Sequence, residues 1–152
     1  MRQRKKRQRT SKYILDQNVL SDILKENNAE VLIQHKKHAH ECCTTAIAIA
    51  EAFRGVHAPP EGKSPPARAE QFYKYITKEM QVFPFDVQAA KLFGKCCACF
   101  PKGKTVGWAD TAIAAIALSK GRNKVLVTNN TKHFECFEQI GLTIEDWRKG
   151  NG

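Results

Sequence analysis

The sequence is poor in acidic residues and lacks any long apolar segment. Its 152 residues include 15 Asp and Glu against 25 Lys and Arg, which gives a formal net charge of +10. No apolar run approaches the ~20 residues that a membrane-spanning helix needs. The basic N-terminus is not followed by the roughly 7–15-residue apolar stretch of a secretory signal peptide. We therefore expect a cytoplasmic protein with no membrane-spanning segment.

The cysteine spacing of a zinc site is also missing. The cluster Cys96-Cys97-x-Cys99 has no paired C-x₂-C spacing, and no spaced His pair accompanies it. A chain of this length buries enough surface, roughly 68–70%, to need no cross-link. In a reducing compartment, cysteines serve more often as small buried hydrophobic residues than as disulfides. That is what we expect of all six: Cys42, Cys43, Cys96, Cys97, Cys99 and Cys136.

Positive charge is concentrated at the N-terminus. Residues 2–9 (RQRKKRQR) carry six cations and no anion, which leaves the remainder at 19 − 15 = +4. Such a run is too charged to bury, so we expect residues 1–11 to be a basic arm, disordered on its own, and residues 12–149 to be one domain. The arm is either a solvated tail or a binder of nucleic-acid phosphates. Its candidate contacts are Arg2, Arg4, Lys5, Lys6, Arg7 and Arg9.

Short apolar runs alternate with helical periodicity along the rest of the chain. Strands are predicted at residues 12–15, 42–47, 81–85, 124–128 and 142–144, and helices follow most of them. Alternation of this kind indicates parallel β-α units, that is, an α/β fold whose sheet is covered on both faces.

Three carboxylates occupy positions where such a fold forms its sites, beyond the carboxyl ends of the strands. Asp16 follows the first strand, Glu51 lies in the first turn of a helix predicted at 48–56, and Asp110 lies near the start of a helix at 108–119. Asp110 shares an inward-facing stripe with the apolar residues three, four and seven positions later. A buried, unpaired carboxylate costs several kcal/mol or takes up a proton. A cation or a hydrogen-bond donor is therefore expected beside Asp110.

Gathered carboxylates raise one another's pKa unless a cation lies among them, and oxygen ligands suit Mg²⁺ or Mn²⁺. Each acid also has a structural interpretation, since Asp16 is a good N-cap and Glu51 could be an ordinary exposed helix residue. The three together, on a basic chain, indicate a metal-dependent nuclease.

Four segments, spread over residues 12–147, resemble in order the motifs of PIN-domain endoribonucleases, above all the VapC toxins of bacterial VapBC toxin–antitoxin pairs. They are YILDQNVLSDIL, AIAEAFRGV, GWADTAIAAIA and VLVTNNTKHFECF…GLTIEDW. The resemblance implies a three-layer α/β/α sandwich with a mostly parallel sheet and Mg²⁺- or Mn²⁺-dependent cleavage of RNA. It further implies a small VapB-like antitoxin as partner and a homodimer.

The resemblance also assigns the site residues. Asp16, Glu51 and Asp110 would bind the metal, Asn18 would orient Asp16 or a water, and Thr128 would supply a hydroxyl donor.

The family often has a fourth acidic residue two positions after this threonine, where the present chain has Asn130. An acid is sometimes found slightly later instead, but that position is occupied here by His133. An amide offers a ligand oxygen without charge, so a second metal site should be weak; Glu135 is near enough in sequence to compensate. A catalytically weakened RNA-binding or regulatory protein is therefore the alternative function.

Overall fold

Five short strands form the centre of the protein. The structure is a computed structural model that describes residues 11–150. The strands are Tyr13–Leu15 (β1), Cys42–Thr45 (β2), Gln81–Phe83 (β3), Val125–Val127 (β4) and Ile144–Glu145 (β5). They form one sheet in the order β3-β2-β1-β4-β5, and every neighbouring pair is parallel. The predicted α/β class with a parallel sheet is thus confirmed, with all five predicted strands present.

Helices cover both faces of this sheet. They are Gln17–Lys25 (α1), Ala29–Lys37 (α2), Ala46–His57 (α3), Ala69–Glu79 (α4), Val87–Cys97 (α5), Trp108–Ser119 (α6) and Thr131–Phe134 (α7). Short 3₁₀ turns at Ala39–Glu41, Glu135–Ile140 and Trp147–Lys149 complete the described chain. Over residues 11–150, no helix is long and apolar enough to cross a membrane.

The alternating side chains of β1 separate two cores. Ile14 packs with residues of α5 and α6 on one face, whereas Tyr13 and Leu15 pack with α1, α2 and α4 on the other. Ile14 and Leu15 are fully buried, and burial of such a side chain stabilises the fold by about 1.5–3 kcal/mol. The result is the predicted three-layer α/β/α sandwich.

Side-chain caps decide where two helices begin. Thr45 accepts a hydrogen bond from the amide of Ala48 (3.1 Å), and Asp86 accepts one from the amide of Ala89 (3.0 Å). The Thr45 cap starts α3 at Ala46, so the strand predicted at 42–47 ends two residues early. Glu51 consequently lies in the second turn of α3, not in the first as predicted.

The folded domain begins slightly earlier than expected. Ser11, which the sequence assigns to the arm, is buried, and its hydroxyl donates to the side chain of Gln81. The six cations of residues 2–9 lie outside the described residues.

All six cysteines are free, as predicted. Burial raises the pKa of the Cys42 and Cys43 thiols to about 12, which keeps them unreactive. Cys96 is buried as well, but Cys97, Cys99 and Cys136 are partly exposed. The expectation of buried hydrophobic residues therefore holds for three of the six.

The strand order places a crevice beside β1. The chain passes from β1 to β2 on one side and returns through β4 on the other side. In open parallel sheets, ligands bind at such a switch point, outside the carboxyl ends of the strands. Asp16 directly follows β1 and Thr128 directly follows β4, so both residues lie at this crevice.

Candidate functional site

Asp16 is a buried carboxylate held by three donors. Its exposed fraction is 3%. One oxygen, Oδ1, accepts from the backbone N–H of Gln17 (2.8 Å), which caps α1. The other, Oδ2, accepts from the Thr128 hydroxyl (2.8 Å) and from the Asn18 amide (3.3 Å). These donors fix the orientation of Asp16 as the sequence suggested for Asn18 and Thr128.

The hydrogen bonds do not fully compensate for the burial of Asp16. Desolvation raises the pKa of Asp16, and the charge of Asp110 acts in the same direction. The donors from Thr128, Gln17 and Asn18 lower it, but the net pKa remains above the usual 3.8. Positive charge near Asp16 would favour its ionised form.

Asn18 joins the ends of β1 and β4. Its amide donates to Asp16, while its Oδ1 accepts from the backbone N–H of Asn129 (3.1 Å). The next amide, that of Asn130, donates to the Thr128 hydroxyl (3.1 Å). The Asn130 residue itself is exposed at the start of α7.

Asn129 is a site residue that the sequence analysis missed. Its Nδ2 donates to Asp22 Oδ2 (2.8 Å), and its carbonyl accepts from Arg148 (2.9 Å). The loop after β4 is thereby tied both to α1 and to the C-terminal 3₁₀ turn. The adjacent pair Asn129-Asn130 was a usable signal, because asparagines often bond to local backbone at strand ends and turns.

Glu51 reaches the same region from α3. Burial raises its pKa to about 7, with further upward contributions from Asp16 and Asp110, while Arg54 lowers it. Asp16 and Asp110 are thus near enough for their charges to act on Glu51. The structure therefore brings Asp16, Glu51 and Asp110 into one cluster.

Asp110 lies in the first turn of α6 and is paired with His133. Its side chain is 21% exposed, and its Oδ2 is 2.9 Å from Nδ1 of His133. The apolar residues of its predicted stripe are all buried: Ile113, Ala114 and Ala117. The partner expected beside Asp110 is therefore the imidazole of His133.

Carboxylate oxygens are the ligands that this cluster could offer a metal ion. Within residues 11–150, no three His, Cys, Asp or Glu side chains are arranged so that they could hold a metal ion as they stand. The chemistry of the cluster nevertheless fits a hard divalent cation, because its donors are carboxylate oxygens. Such a cation would also offset the burial, and the smaller mutual repulsion, that raise the pKa values of Asp16 and Glu51.

A groove of about 780 Å³ begins at Asp110. One wall is the loop between α5 and α6, and the other is formed by α7 and the 3₁₀ turn after it. Two lysines, Lys104 and Lys132, line it together with Glu135. The remaining lining residues are Pro101, Thr105, Val106, Gly107, Asp110, His133 and Cys136.

Comparison with known proteins agrees with this architecture. The PIN domain family model matches residues 13–138. Ribonuclease VapC2 of Haemophilus influenzae is 31% identical over 137 residues, covering 90% of this chain and 98% of that protein. VapC ribonuclease Y4jK of Sinorhizobium fredii is 32% identical over 140 residues, which cover 86% of this chain and 94% of that protein.

Solved structures show the same fold. A crystal structure of DNA-bound VapBC from Salmonella typhimurium aligns with a TM-score of 0.72 and 30% identity, over 90% of this chain and 98% of that chain. The matched lengths show that the similarity extends through nearly all of the described domain. The chain belongs to the PIN-domain family and, within it, to the group of VapC ribonucleases.

Proposed function

We propose that this protein is a metal-dependent endoribonuclease and the toxin of a toxin–antitoxin pair. The observation that carries the proposal is the cluster of Asp16, Glu51 and Asp110 at the switch point of a PIN-type sheet. Relatives that cover the whole domain are named ribonucleases.

Asp16 and Asp110 would hold Mg²⁺ or Mn²⁺ directly, with Glu51 binding the ion through a water or positioning the attacking water. When bound, the ion supplies positive charge to the phosphate oxygens and acidifies a water. Thr128 and Asn18 keep Asp16 in one orientation through their hydrogen bonds. Asp110 contacts His133 through Oδ2, which leaves its Oδ1 available as a ligand for the ion.

The reaction is hydrolysis of a phosphodiester. The water oxygen bonds to phosphorus, the bond from phosphorus to the 3′ oxygen breaks, and that oxygen takes a proton. The products carry a 5′-phosphate and a 3′-hydroxyl.

A small VapB-like antitoxin and a second copy of the chain are the proposed protein partners. The structural relative described above is a VapBC complex, which supports a VapB-like partner for this chain. A cluster of raised-pKa carboxylates would attract a basic side chain of such an inhibitor.

Purified protein, freed of any antitoxin, should cleave RNA with Mg²⁺ or Mn²⁺ and stop when EDTA is added. Asp16→Asn and Asp110→Asn should each abolish cleavage while the circular dichroism spectrum stays unchanged. Asp86→Asn is the matched control, because Asp86 caps α5 and Asn caps equally well. Undiminished cleavage by either site variant would rule out the assigned site.

Binding of RNA without any cleavage by the wild type would favour the alternative function. The protein would then be a catalytically weakened RNA-binding protein, in which Asn130 and His133 stand in place of acids.

A further inference from the structure

Four of the six cysteines gather where α5 ends. Cys96 and Cys97 are the last two residues of α5, and Cys99 lies in the turn that follows it. Cys136 comes from a distant part of the chain, the 3₁₀ turn Glu135–Ile140. The proposed hydrolysis uses none of these four thiols.

Two contacts place Cys99 beside Cys136. The side-chain amide of Gln139 donates to the backbone carbonyl of Cys136 (2.8 Å) and also to that of Cys99 (3.3 Å). The residues that directly follow the two cysteines, Phe100 and Phe137, pack against each other with ring centroids 6.3 Å apart. The two segments therefore lie next to each other at Cys99 and Cys136, and both cysteines pack against the same apolar core.

An oxidant can reach Cys99 and Cys136, because both are partly exposed. Cys96 is fully buried, and burial raises its pKa to about 12, which keeps its thiol unreactive. Cys97 is partly exposed as well, but neither of the contacts with the 3₁₀ turn described above involves it. Cys99 and Cys136 are thus the accessible pair that the fold brings together.

A metal site would require a different arrangement of these thiols. In the part of the chain that the structure describes, no three His, Cys, Asp or Glu side chains are placed to hold an ion. A pair of neighbouring thiols suffices for a disulfide. In a reducing compartment such a bond is transient and forms in response to oxidants.

We propose that Cys99 and Cys136 are an oxidation site, which a hydroperoxide converts reversibly into a disulfide. The Cys99 thiolate attacks one oxygen of hydrogen peroxide; the O–O bond breaks, giving a sulfenic acid on Cys99 and one water. The sulfur of Cys136 then bonds to that of Cys99, the S–O bond breaks, and the hydroxyl leaves as a second water with the proton of Cys136. The two thiols lose two electrons, and the peroxide gains them.

The order of the two steps follows from the surroundings of Cys136. Burial raises the pKa of its thiol, and the charge of Cys99 acts in the same direction. The thiolate is the nucleophilic form of cysteine, so Cys136 is the slower of the two to attack a peroxide and reacts second.

The disulfide links the two walls of the groove that begins at Asp110. Cys136 lines the wall formed by α7 and the 3₁₀ turn. Cys99 lies two residues before Pro101, which lines the opposite wall. The inference goes beyond the proposed function and does not depend on it, because the oxidation requires neither a metal ion nor RNA.

Peptide mapping of the full chain after brief treatment with hydrogen peroxide identifies the pair. Free thiols are blocked with iodoacetamide, and the protein is digested with trypsin without a reductant. Trypsin releases Cys99 in the peptide 96–102 (CCACFPK) and Cys136 in the peptide 133–148. We expect these two peptides to be joined in the oxidised wild type and to separate on addition of dithiothreitol.

Three serine variants assign the sulfur atoms within those peptides. Cys99→Ser and Cys136→Ser should each lose the joined species. Cys97→Ser is the matched control, since it removes a partly exposed thiol from the same peptide as Cys99, and it should retain the joined species. The proposal would be overturned by persistence of the joined peptides in Cys99→Ser, by their loss in Cys97→Ser, or by their absence from the oxidised wild type, a result that does not depend on how any variant folds.

Thermal melts and amide hydrogen exchange test whether the bond fits the folded protein. A disulfide that closes the loop from residue 99 to residue 136 without strain should raise the melting temperature by about 5–15 °C, and dithiothreitol should reverse the rise. Exchange should slow in residues 102–107 and 132–136, the two walls of the groove, but not in α4. An equal or lower melting temperature would show that the protein must distort to form the bond and would overturn the pairing, and unchanged exchange in both walls would refute the link across the groove.

Discussion

Replacing Glu51 with Gln should stabilise the metal-free protein above neutral pH. Burial raises the pKa of Glu51 from 4.5 to about 7, and the charges of Asp16 and Asp110 add to this effect while Arg54 opposes it. The ionised form of Glu51 is therefore unfavourable in the folded protein. A neutral side chain of the same shape removes that cost.

The pH range follows from the direction of this shift. Between pH 4.5 and about 7, the folded protein retains a proton that the unfolded chain releases. The free energy of unfolding therefore falls as pH rises through this range and levels off above it. At about 1.4 kcal/mol per pH unit, the interval from 4.5 to about 7 corresponds to at most about 3.5 kcal/mol. Because Glu51 is partly accessible, solvent screening reduces the expected contribution to about 1–2 kcal/mol.

Urea unfolding in EDTA, from pH 4.5 to 9, measures the effect. Wild type and Glu51→Gln should have equal stability near pH 4.5, and the variant should be more stable by about 1–2 kcal/mol at pH 8. Glu61→Gln, at an exposed position in the loop before α4, should follow the wild type throughout. Added Mg²⁺ or Mn²⁺ should restore more stability to the wild type than to Glu51→Gln. Parallel stability curves for wild type and Glu51→Gln would refute the argument, since Glu51 would then not be coupled to Asp16 and Asp110.

Three further changes test neighbouring features. Thr128→Val removes the hydroxyl that donates to Asp16 and accepts from the Asn130 amide; thermal melts should show a loss of about 1–3 kcal/mol, which Thr128→Ser should largely avoid. Asn130→Asp adds a charge near the proposed cation, so the metal concentration for half-maximal cleavage should fall, and a midpoint that stays or rises would show that the side chain points elsewhere. Each phosphate contact contributes about −0.7 to the slope of log K against log salt, so an arm that engages about three phosphates contributes about −2. Deleting residues 2–9 should flatten the slope by that amount and leave turnover at saturating RNA unchanged. Identical slopes would identify the arm as a solvated tail.

The strands could be predicted because buried parallel strands are continuous apolar runs. Tyr13–Leu15 and Val125–Val127 are such runs, and both are fully buried in the centre of the sheet. A polar residue directly after each run must then lie at the carboxyl edge. This reasoning placed Asp16 and Thr128 at one edge, and the structure joins them by a hydrogen bond of 2.8 Å.

Two features escaped the sequence for different physical reasons. The apolar run continues past Cys42–Thr45 into Ala46 and Ile47, which hides the end of the strand; the Thr45 hydroxyl caps α3 there through a local bond from the amide of Ala48, and Thr45 was not recognised as an N-cap residue. The contact between Asp110 and His133 depends on how the chain returns after β4, and no local pattern specifies that path.

The origin of the three carboxylates in the fold has a consequence for stability. Asp16 comes from the central sheet, Glu51 from α3 on one face, and Asp110 from α6 on the other face. Without a cation, the repulsion between Glu51 and the other two acids acts between layers that the apolar cores hold together. A divalent ion held among the three carboxylates, by Asp16 and Asp110 directly, would reverse the sign of that interaction and link the layers. By linkage, any ion that binds only the folded protein adds about 2.7 kcal/mol to its stability at 100 times the Kd. Metal affinity can therefore be measured from thermal melts alone, without RNA, and Asp16→Asn should abolish the metal-dependent rise in melting temperature.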